Sequence, residues 1–325
     1  MIEYRPLGNT GLTVSHLSFG GSALAGVYGP VETHDAIEAV RCAIDLGLNL
    51  MDTAPYYGDT LSESRIGEAL NDGYRDKVIL ATKAGRYATG ANGGFDYRYD
   101  SILRSWEASA GRLQTDFIDL FQLHDVEFVS AEEVIGEAWP AMTRLRGEGK
   151  VGHIGITGYP LQHLAHLASV LDPRPETVLS YCHYDLLNTS LDRWLIPTAR
   201  DLGIGVINAS VTHMGILTDD GAPDWHPAPT DVVDAGRRVQ EHLRSRGIGI
   251  TETALLFALT NPDVATTCVG MRTVDEVVAN VTALNRTIDD GVLEEIEELV
   301  SDVKDLNWSQ GYREYNDPGS VEPTR

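Results

Sequence analysis

The sequence predicts an α/β protein: a closed (β/α)8 barrel of parallel strands, with an N-terminal β-hairpin across the barrel bottom. Three observations point there. Eight short apolar segments are each followed by a segment with one apolar stripe at helical spacing. The strand segments are continuously apolar rather than alternating, as parallel strands covered on both faces are. Eight such units within 325 residues suit a barrel better than an open doubly wound sheet. No internal repeat, low-complexity tract or linker interrupts them, so one domain over residues 1–325 is expected, with a loosely ordered tail from about 312 to 325.

The elements follow in order. "YRPLGNTGLTVS" reads as a hairpin turning at Asn9-Thr10-Gly11. "LSFG" (17–20) is the first barrel strand, followed by a helix over 33–46 with Ile37, Val40 and Ile44 on one face. "LNLMD" (48–52) precedes a helix over 61–70, and "VILATK" (78–83) precedes one over 100–113. "FIDLFQLH" (117–124) leads to 131–148, "VGHIGIT" (151–157) to 161–171, and "TVLSYC" (177–182) to 191–202. "IGVINAS" (204–210) comes before a polar insertion and helices over 231–246 and 251–259. "TTCVG" (266–270) precedes a helix over 273–284, and 292–300 forms a last amphipathic helix.

A formal charge of −23 argues against nucleic acid or an anionic membrane as partner. Of 25 basic residues only Lys77, Lys83, Lys150 and Lys304 are lysines, a skew that suits a high-salt interior or a GC-rich genome. Cys42, Cys182 and Cys268 are odd in number and isolated, which reads as buried free thiols and not as a disulfide or metal set. "MIEYRPLGNTG" has no signal-peptide pattern and no apolar run approaches the roughly 20 residues of a membrane span, so a cytoplasmic location is expected.

Barrel enzymes keep their chemistry at the C-terminal ends of the strands. Those ends carry Gly20-Gly21, Asp52, Lys83, His124, Thr157, Tyr181 to His183, Ser210 and Gly270, with Tyr57 one turn beyond Asp52. A phenol's ordinary pKa of about 10 is too high for proton exchange near neutrality, and lowering it by ~3 units takes about 4 kcal/mol of preferential phenolate stabilisation. A lysine ammonium supplies that by charge attraction, and a carboxylate keeps the lysine charged in a dry pocket. Lys83 and Asp52 suit those parts, with Tyr57 as acid or base and His124 orienting the reacting oxygen. Each residue alone also has a structural reading: Asp52 as a turn cap, Tyr57 as rim packing. A rival constellation, Asp52 with His124, His183 and His213, suits zinc or manganese in a barrel isomerase but leaves Lys83 and Tyr57 without a purpose. His153 and His163 lie away from the strand ends and read as structural.

The segments "GNTGLTVSHLSFGG", "MDTAPYYGDTLSESRIGEAL", "VILATKAG", "IDLFQLH" and "GKVGHIGITG" together resemble the aldo-keto reductase superfamily over nearly the whole chain. The resemblance implies a barrel that binds a nicotinamide dinucleotide without a Rossmann fold, and a catalytic tetrad falling on Asp52, Tyr57, Lys83 and His124. "VLSYCHYDLLN", "GITGYP", "GAPDWHPA", "VGMRTVDEVVANV" and "NWSQG" are similar to the sugar 1-dehydrogenase branch. That implies oxidation of the anomeric carbon of a free aldose, of the L-galactose, L-fucose or D-arabinose type, to a lactone with NAD.

The sequence departs from the wider family where the nicotinamide carboxamide is gripped: Thr157, Gly158 and Tyr181 replace the common Ser-Asn and Gln, and Ala209 followed by Ser210 replaces a stacking tyrosine. Thr157 and Ser210 are the expected grips. Gly21, Gly270, Met271, Arg272, Glu276 and Asn280 complete the expected cofactor set, with phosphates at the N-terminus of the helix after "GMRT". Glu276 repels a 2′-phosphate and suits ribose hydroxyls, so NAD is expected over NADP. The expected substrate contacts are Tyr28, Arg86, His183, His213 and Trp225, the last in an insertion (218–230) that either closes over the site or is pinned by its prolines. The alternatives are an NADPH-dependent carbonyl reductase and a non-catalytic cofactor-binding regulatory subunit. The sugar and the oligomeric state are left open.

Overall fold

The computed structural model describes residues 2–89 and 94–323. β1 (Tyr4–Pro6) pairs antiparallel with β2 (Thr13–Ser15), Tyr4 opposite Ser15 and Pro6 opposite Thr13. Between them Leu7 N–H donates to Leu12 O at 2.9 Å, closing the turn. Leu7 and Val14 are fully buried against Leu50, Ala81, Leu120, Leu179 and Ile207 of the barrel strands. The hairpin thus plugs the barrel floor, and Gly8 is needed there: a Cβ would lie 2.3 Å from Gly205 N, and its φ is +53°.

Eight parallel strands then close on themselves: β3 (Leu17–Gly20), β4 (Leu50–Asp52), β5 (Ile79–Ala84), β6 (Ile118–Leu123), β7 (Val151–Gly158), β8 (Thr177–Tyr181), β9 (Gly205–Ala209) and β10 (Thr266–Gly270). β10 seals the barrel, pairing with β9 on one side and β3 on the other. The register sets Gly20 beside Asp52, Asp52 beside Ala81, and Lys83 beside Gln122. Side chains of neighbouring strand ends therefore converge at one mouth. Each surrounding helix buries one stripe. Thr33–Asp45 buries Ala36, Ala39, Val40, Ala43 and Ile44, the i, i+3, i+4, i+7, i+8 pattern, and the larger aliphatics gain about 1.5–3 kcal/mol each. Among the described residues no helix is long and apolar enough to cross a membrane.

Two expected helices are interrupted, in both cases at a proline. The segment 131–148 divides into Ala131–Glu133, a π-helical turn Val134–Ala138 and Trp139–Gly147. Pro140 has no N–H for the Gly136 carbonyl, and the wider turn absorbs the defect. Pro197 likewise parts Leu191–Trp194 from Ile196–Leu202.

The tail, expected to be loose, makes several backbone and side-chain hydrogen bonds over its described part. Tyr312 N–H donates to Glu127 O at 2.8 Å, and Tyr315 Oη accepts from Ala131 N–H at 2.8 Å. The Asp317 carboxylate takes the free N–H groups of Leu161 and Gln162, each at 2.8 Å, at the start of helix Leu161–Val170. Trp308 bridges to Val321 and is fully buried. The polar composition of this segment concealed the helix ends and carbonyls that it satisfies.

Candidate active site

Asp52 ends β4 and Lys83 lies near the end of β5, both almost without solvent exposure. Lys83 Nζ donates to Asp52 Oδ1 at 2.5 Å, to Thr53 O at 2.8 Å and to the Tyr57 hydroxyl at 3.4 Å. All three ammonium protons thus have acceptors. Gln122, facing in from β6, donates from Nε2 to Asp52 Oδ2 at 3.3 Å. Gly21 lets the neighbouring strand approach: a Cβ there would lie 2.6 Å from Ser62 Oγ and 2.9 Å from Asp52 O.

The turn after β4, closed by Tyr57 N–H to Ala54 O at 3.1 Å, returns the Tyr57 hydroxyl to Lys83. Its ring meets the His124 imidazole edge-on at 5.6 Å between centroids. His124 is fixed from the backbone: its N–H donates to Ala84 O at 2.9 Å and its carbonyl accepts from Tyr97 Oη. The next residue, Asp125, adopts φ +60° while its N–H donates to Thr157 Oγ1 at 3.1 Å. That conformation is uncommon for a non-glycine residue, and it lets the Asp125 carboxylate turn to pair with Arg86.

The electrostatics are set mainly by burial. Burial is the largest influence on Lys83 and pushes it down, but the charge and hydrogen bond of Asp52 together with the Tyr57 oxygen outweigh it and hold the ammonium above its ordinary value. His124 is pushed well down by burial and by the positive charges of Lys83 and Arg86, so it is a neutral imidazole, and its Nδ1 has no partner among the described residues. Tyr57 departs from the sequence expectation. Lys83 does lower it, but burial raises it more and Asp52 adds to the rise, so the net shift is upward. The expectation counted the ammonium and omitted the water that a phenolate loses here.

The other expected residues fall into three groups. Thr157 and Gly158 are fully enclosed under the Asp125 turn: Thr157 Oγ1 holds Asp125 N–H, and a Cβ on Gly158 would lie 2.6 Å from Glu127 Oε2. Ser210 stands at the rim in a positive-φ conformation, and Tyr181 closes β8 beside Gln310. Gly270 opens toward the helix Val274–Ala283, whose first turn is capped by Thr273 Oγ1 accepting from Glu276 N–H at 3.2 Å. Met271 is buried in the core, so only its backbone is available to a ligand. Arg272 is clamped by Glu276 at 2.6 and 3.0 Å, and its other terminal nitrogen donates to Tyr28 O. Asn280 is half-buried one turn further along the same helix. A helix N-terminus beside a strand ending on Gly270 is a place suited to a dinucleotide phosphate, with Thr273, Asp275 and Glu276 already in its first turn.

Among the expected substrate contacts, Tyr28 and Trp225 are exposed and lie against each other, with ring centroids 6.0 Å apart. Arg86 stacks over Tyr56 at 3.8 Å and flanks the paired rings of Phe95 and Phe128. His183 and His213 are both fully buried, with Nδ1 of His183 bonded to Ser190 Oγ at 2.9 Å and Nδ1 of His213 to Asp185 at 2.8 Å, while the Nε2 of each has no hydrogen-bond partner among the described residues. They brace the loops beneath the insertion, where His226 also bonds His213 O at 2.9 Å. The metal constellation is therefore not assembled, and among the described residues no three His, Cys, Asp or Glu converge as a metal site. Sequence reasoning missed Gln122, Tyr97 and Asp125 as supports of the tetrad residues. A polar residue on an inward strand position was the available signal for Gln122.

Residues 16–301 match the aldo/keto reductase family model, and the chain belongs to that family. It is an oxidoreductase, and its family works with a nicotinamide cofactor. The chain is 41% identical over 317 residues to the L-galactose dehydrogenase of Arabidopsis thaliana, covering 95% of this chain and 98% of that one. It is 30% identical over 259 residues to the D-arabinose 1-dehydrogenase of Saccharomyces cerevisiae, covering 76% of each. A solved aldo-keto reductase from Bacillus halodurans, in its holo form, superposes with a TM-score of 0.78 at 26% identity, covering 98% of this chain and all of that one.

Proposed function

We propose that this chain oxidises C1 of a free aldose to the lactone with NAD, using Asp52, Tyr57, Lys83 and His124. The observation that carries the reading is the meeting of a buried Asp52–Lys83 ion pair with the Tyr57 hydroxyl beside a neutral His124. Likeness to relatives named L-galactose dehydrogenase and D-arabinose 1-dehydrogenase supports an aldose as substrate.

When bound, the nicotinamide supplies the two-electron acceptor; the side chains handle the proton. In its phenolate form, whose charge Lys83 offsets, Tyr57 accepts the proton of the C1 hydroxyl as C1 loses hydride to the nicotinamide, and the phenol then passes that proton to solvent. The neutral His124 imidazole hydrogen-bonds the C1 oxygen and fixes its position without adding a charge. Because burial favours the phenol form of Tyr57, rising pH should favour oxidation and falling pH the reverse reduction. That same preference supports the second reading, a carbonyl reductase, in which Tyr57 donates its proton.

The Arg272–Glu276 clamp favours NAD. Glu276 already takes the guanidinium that would meet a 2′-phosphate, and its own charge opposes that phosphate. The net charge of −23 acts in the same sense. A panel of free aldoses with NAD⁺ or NADP⁺, followed by absorbance of the reduced cofactor, tests the reading. Aldose oxidation with NAD⁺ upholds it, and turnover confined to aldehyde reduction with NADPH would replace it.

A further inference from the structure

The rim beyond the tetrad carries a polar wall whose outer end has no part in the chemistry at C1. From His124 it passes to Tyr56, whose ring lies edge-on 6.0 Å away, and then to Arg86 stacked on that ring at 3.8 Å. Arg86 and Asp125 both act electrostatically on Tyr181, at the end of β8, so the three form one neighbourhood. The Tyr181 hydroxyl in turn lies 3.5 Å from Gln310 Nε2, and both residues are partly exposed.

The Gln310 backbone is held independently of any ligand. Its own N–H donates to Asn316 Oδ1 at 2.7 Å, and Ser309 N–H donates to Val321 O at 2.8 Å. On the other side Tyr312 N–H donates to Glu127 O at 2.8 Å, and Gly311 sits so close that a Cβ would lie 2.1 Å from that same oxygen. Trp308, fully buried two residues earlier, anchors the approach. A segment pinned on both sides thus presents one primary amide at the mouth. Its 3.5 Å contact with Tyr181 is long, so a hydroxyl group can compete for both partners.

The chemistry of the wall selects a class of ligand. Arg86 is already neutralised by Asp125, and the remaining groups beyond His124 are the Gln310 amide and the phenols of Tyr56 and Tyr181. Such a surface offers donors and acceptors to an uncharged polyol and no free cation to a phosphate or carboxylate. Resting on the dehydrogenase reading above, we propose that Gln310, acting with Tyr181, is a specificity-determining residue that reads a hydroxyl of an uncharged aldose remote from C1. This gives Tyr181 to the sugar and not to the nicotinamide carboxamide.

The test uses the full chain as wild type, Gln310→Leu and Tyr181→Phe. Steady-state oxidation is measured with aldoses and their single-deoxy counterparts, and NAD⁺ affinity is measured separately by fluorescence titration. For the parent aldose the KM should rise about tenfold in Gln310→Leu, the cost of a hydroxyl left without its partner, with kcat changed by less than about threefold. NAD⁺ affinity should not change, which also reports an intact fold. For one deoxy sugar, lacking the hydroxyl that is read, wild type and Gln310→Leu should share the same KM; Tyr181→Phe should weaken the same contact. Unchanged KM in Gln310→Leu, an equal penalty on every deoxy sugar, or a loss of NAD⁺ affinity in its place would overturn the assignment. Wild-type turnover with any of these results sinks only the Gln310 assignment, whereas a wild type that oxidises no aldose sinks the dehydrogenase reading and this one with it.

Discussion

Lys83 Nζ stands 3.4 Å from the Tyr57 hydroxyl but 2.5 Å from Asp52 Oδ1, so the ammonium serves the carboxylate first and the phenol second. The phenol therefore stays protonated at neutral pH, held there by burial. Two consequences are expected. The kcat for aldose oxidation should rise with pH from 7 toward 10 without levelling off below about 9. Replacing Lys83 by Met should lower kcat by a factor on the order of 10²–10⁴, the usual worth of a positioned acid–base group. A flat pH profile would remove Tyr57 from the proton path.

The Arg272–Glu276 clamp makes cofactor choice testable with one change. Glu276→Gln removes the carboxylate that pairs with the guanidinium and opposes a phosphate, leaving Arg272 held by Tyr28 O, so the ratio of kcat/KM for NADP⁺ over NAD⁺ should rise at least about tenfold, equivalent to about 1.4 kcal/mol. An unchanged ratio would place the ribose elsewhere.

The Asp185–His213 pair offers a test of whether His213 braces its loop or meets the sugar. Asp185→Ala leaves the His213 Nδ1 and the backbone N–H of Leu187, both buried, without their partner, while Asn188 N–H keeps only the Asp185 carbonyl at 3.2 Å. Unfolding by urea should show a loss of about 3 kcal/mol, while the sugar KM stays near wild type in the folded fraction. A large KM change with unaltered stability would return His213 to the substrate pocket.

Burial depresses His183 to about 3, and His163 and His226 to about 4. An unfolded histidine titrates near 6.5, so unfolding takes up protons below that pH. The stability from keeping these rings neutral is complete above pH 6.5 and is lost as pH falls toward 4. The fully buried His183 alone contributes a slope of about 1.4 kcal/mol per pH unit over that interval. Melting temperatures between pH 7 and 4.5 should fall accordingly, and His183→Asn should flatten the slope.

The barrel was legible because its strands are short, apolar and regularly separated, and register follows from that pattern. Asp52, Lys83 and His124 stood out because ionisable groups at the ends of buried strands are costly and need partners. Tyr57 was found, yet its direction of shift was not, since sequence names the charges near a phenol but not the water it loses. The surroundings of His183 and His213 were hidden for a related reason: a histidine after a strand end faces a pocket or a packed loop, and the sequence does not show the partners Ser190 and Asp185. The tail was opaque because its value lies in capping Leu161 and Gln162, more than 150 residues away in sequence. The polar insertion gave no sign that Trp225 would meet Tyr28.

With a net charge of −23, the folded chain repels itself at low ionic strength. Added KCl shortens the screening length from about 10 Å at 0.1 M to about 3 Å at 1 M. The melting temperature should therefore rise over that range, and a fall would mean that surface ion pairs such as Arg238–Asp302 outweigh the repulsion.

The decisive measurement is NAD⁺-linked oxidation of an aldose by Tyr57→Phe, with NAD⁺ and sugar binding measured on the same preparation. Binding should persist while kcat falls at least about a thousandfold, because the ring remains and only the proton acceptor is gone. Turnover near the wild-type rate with binding intact would contradict the role given to Tyr57.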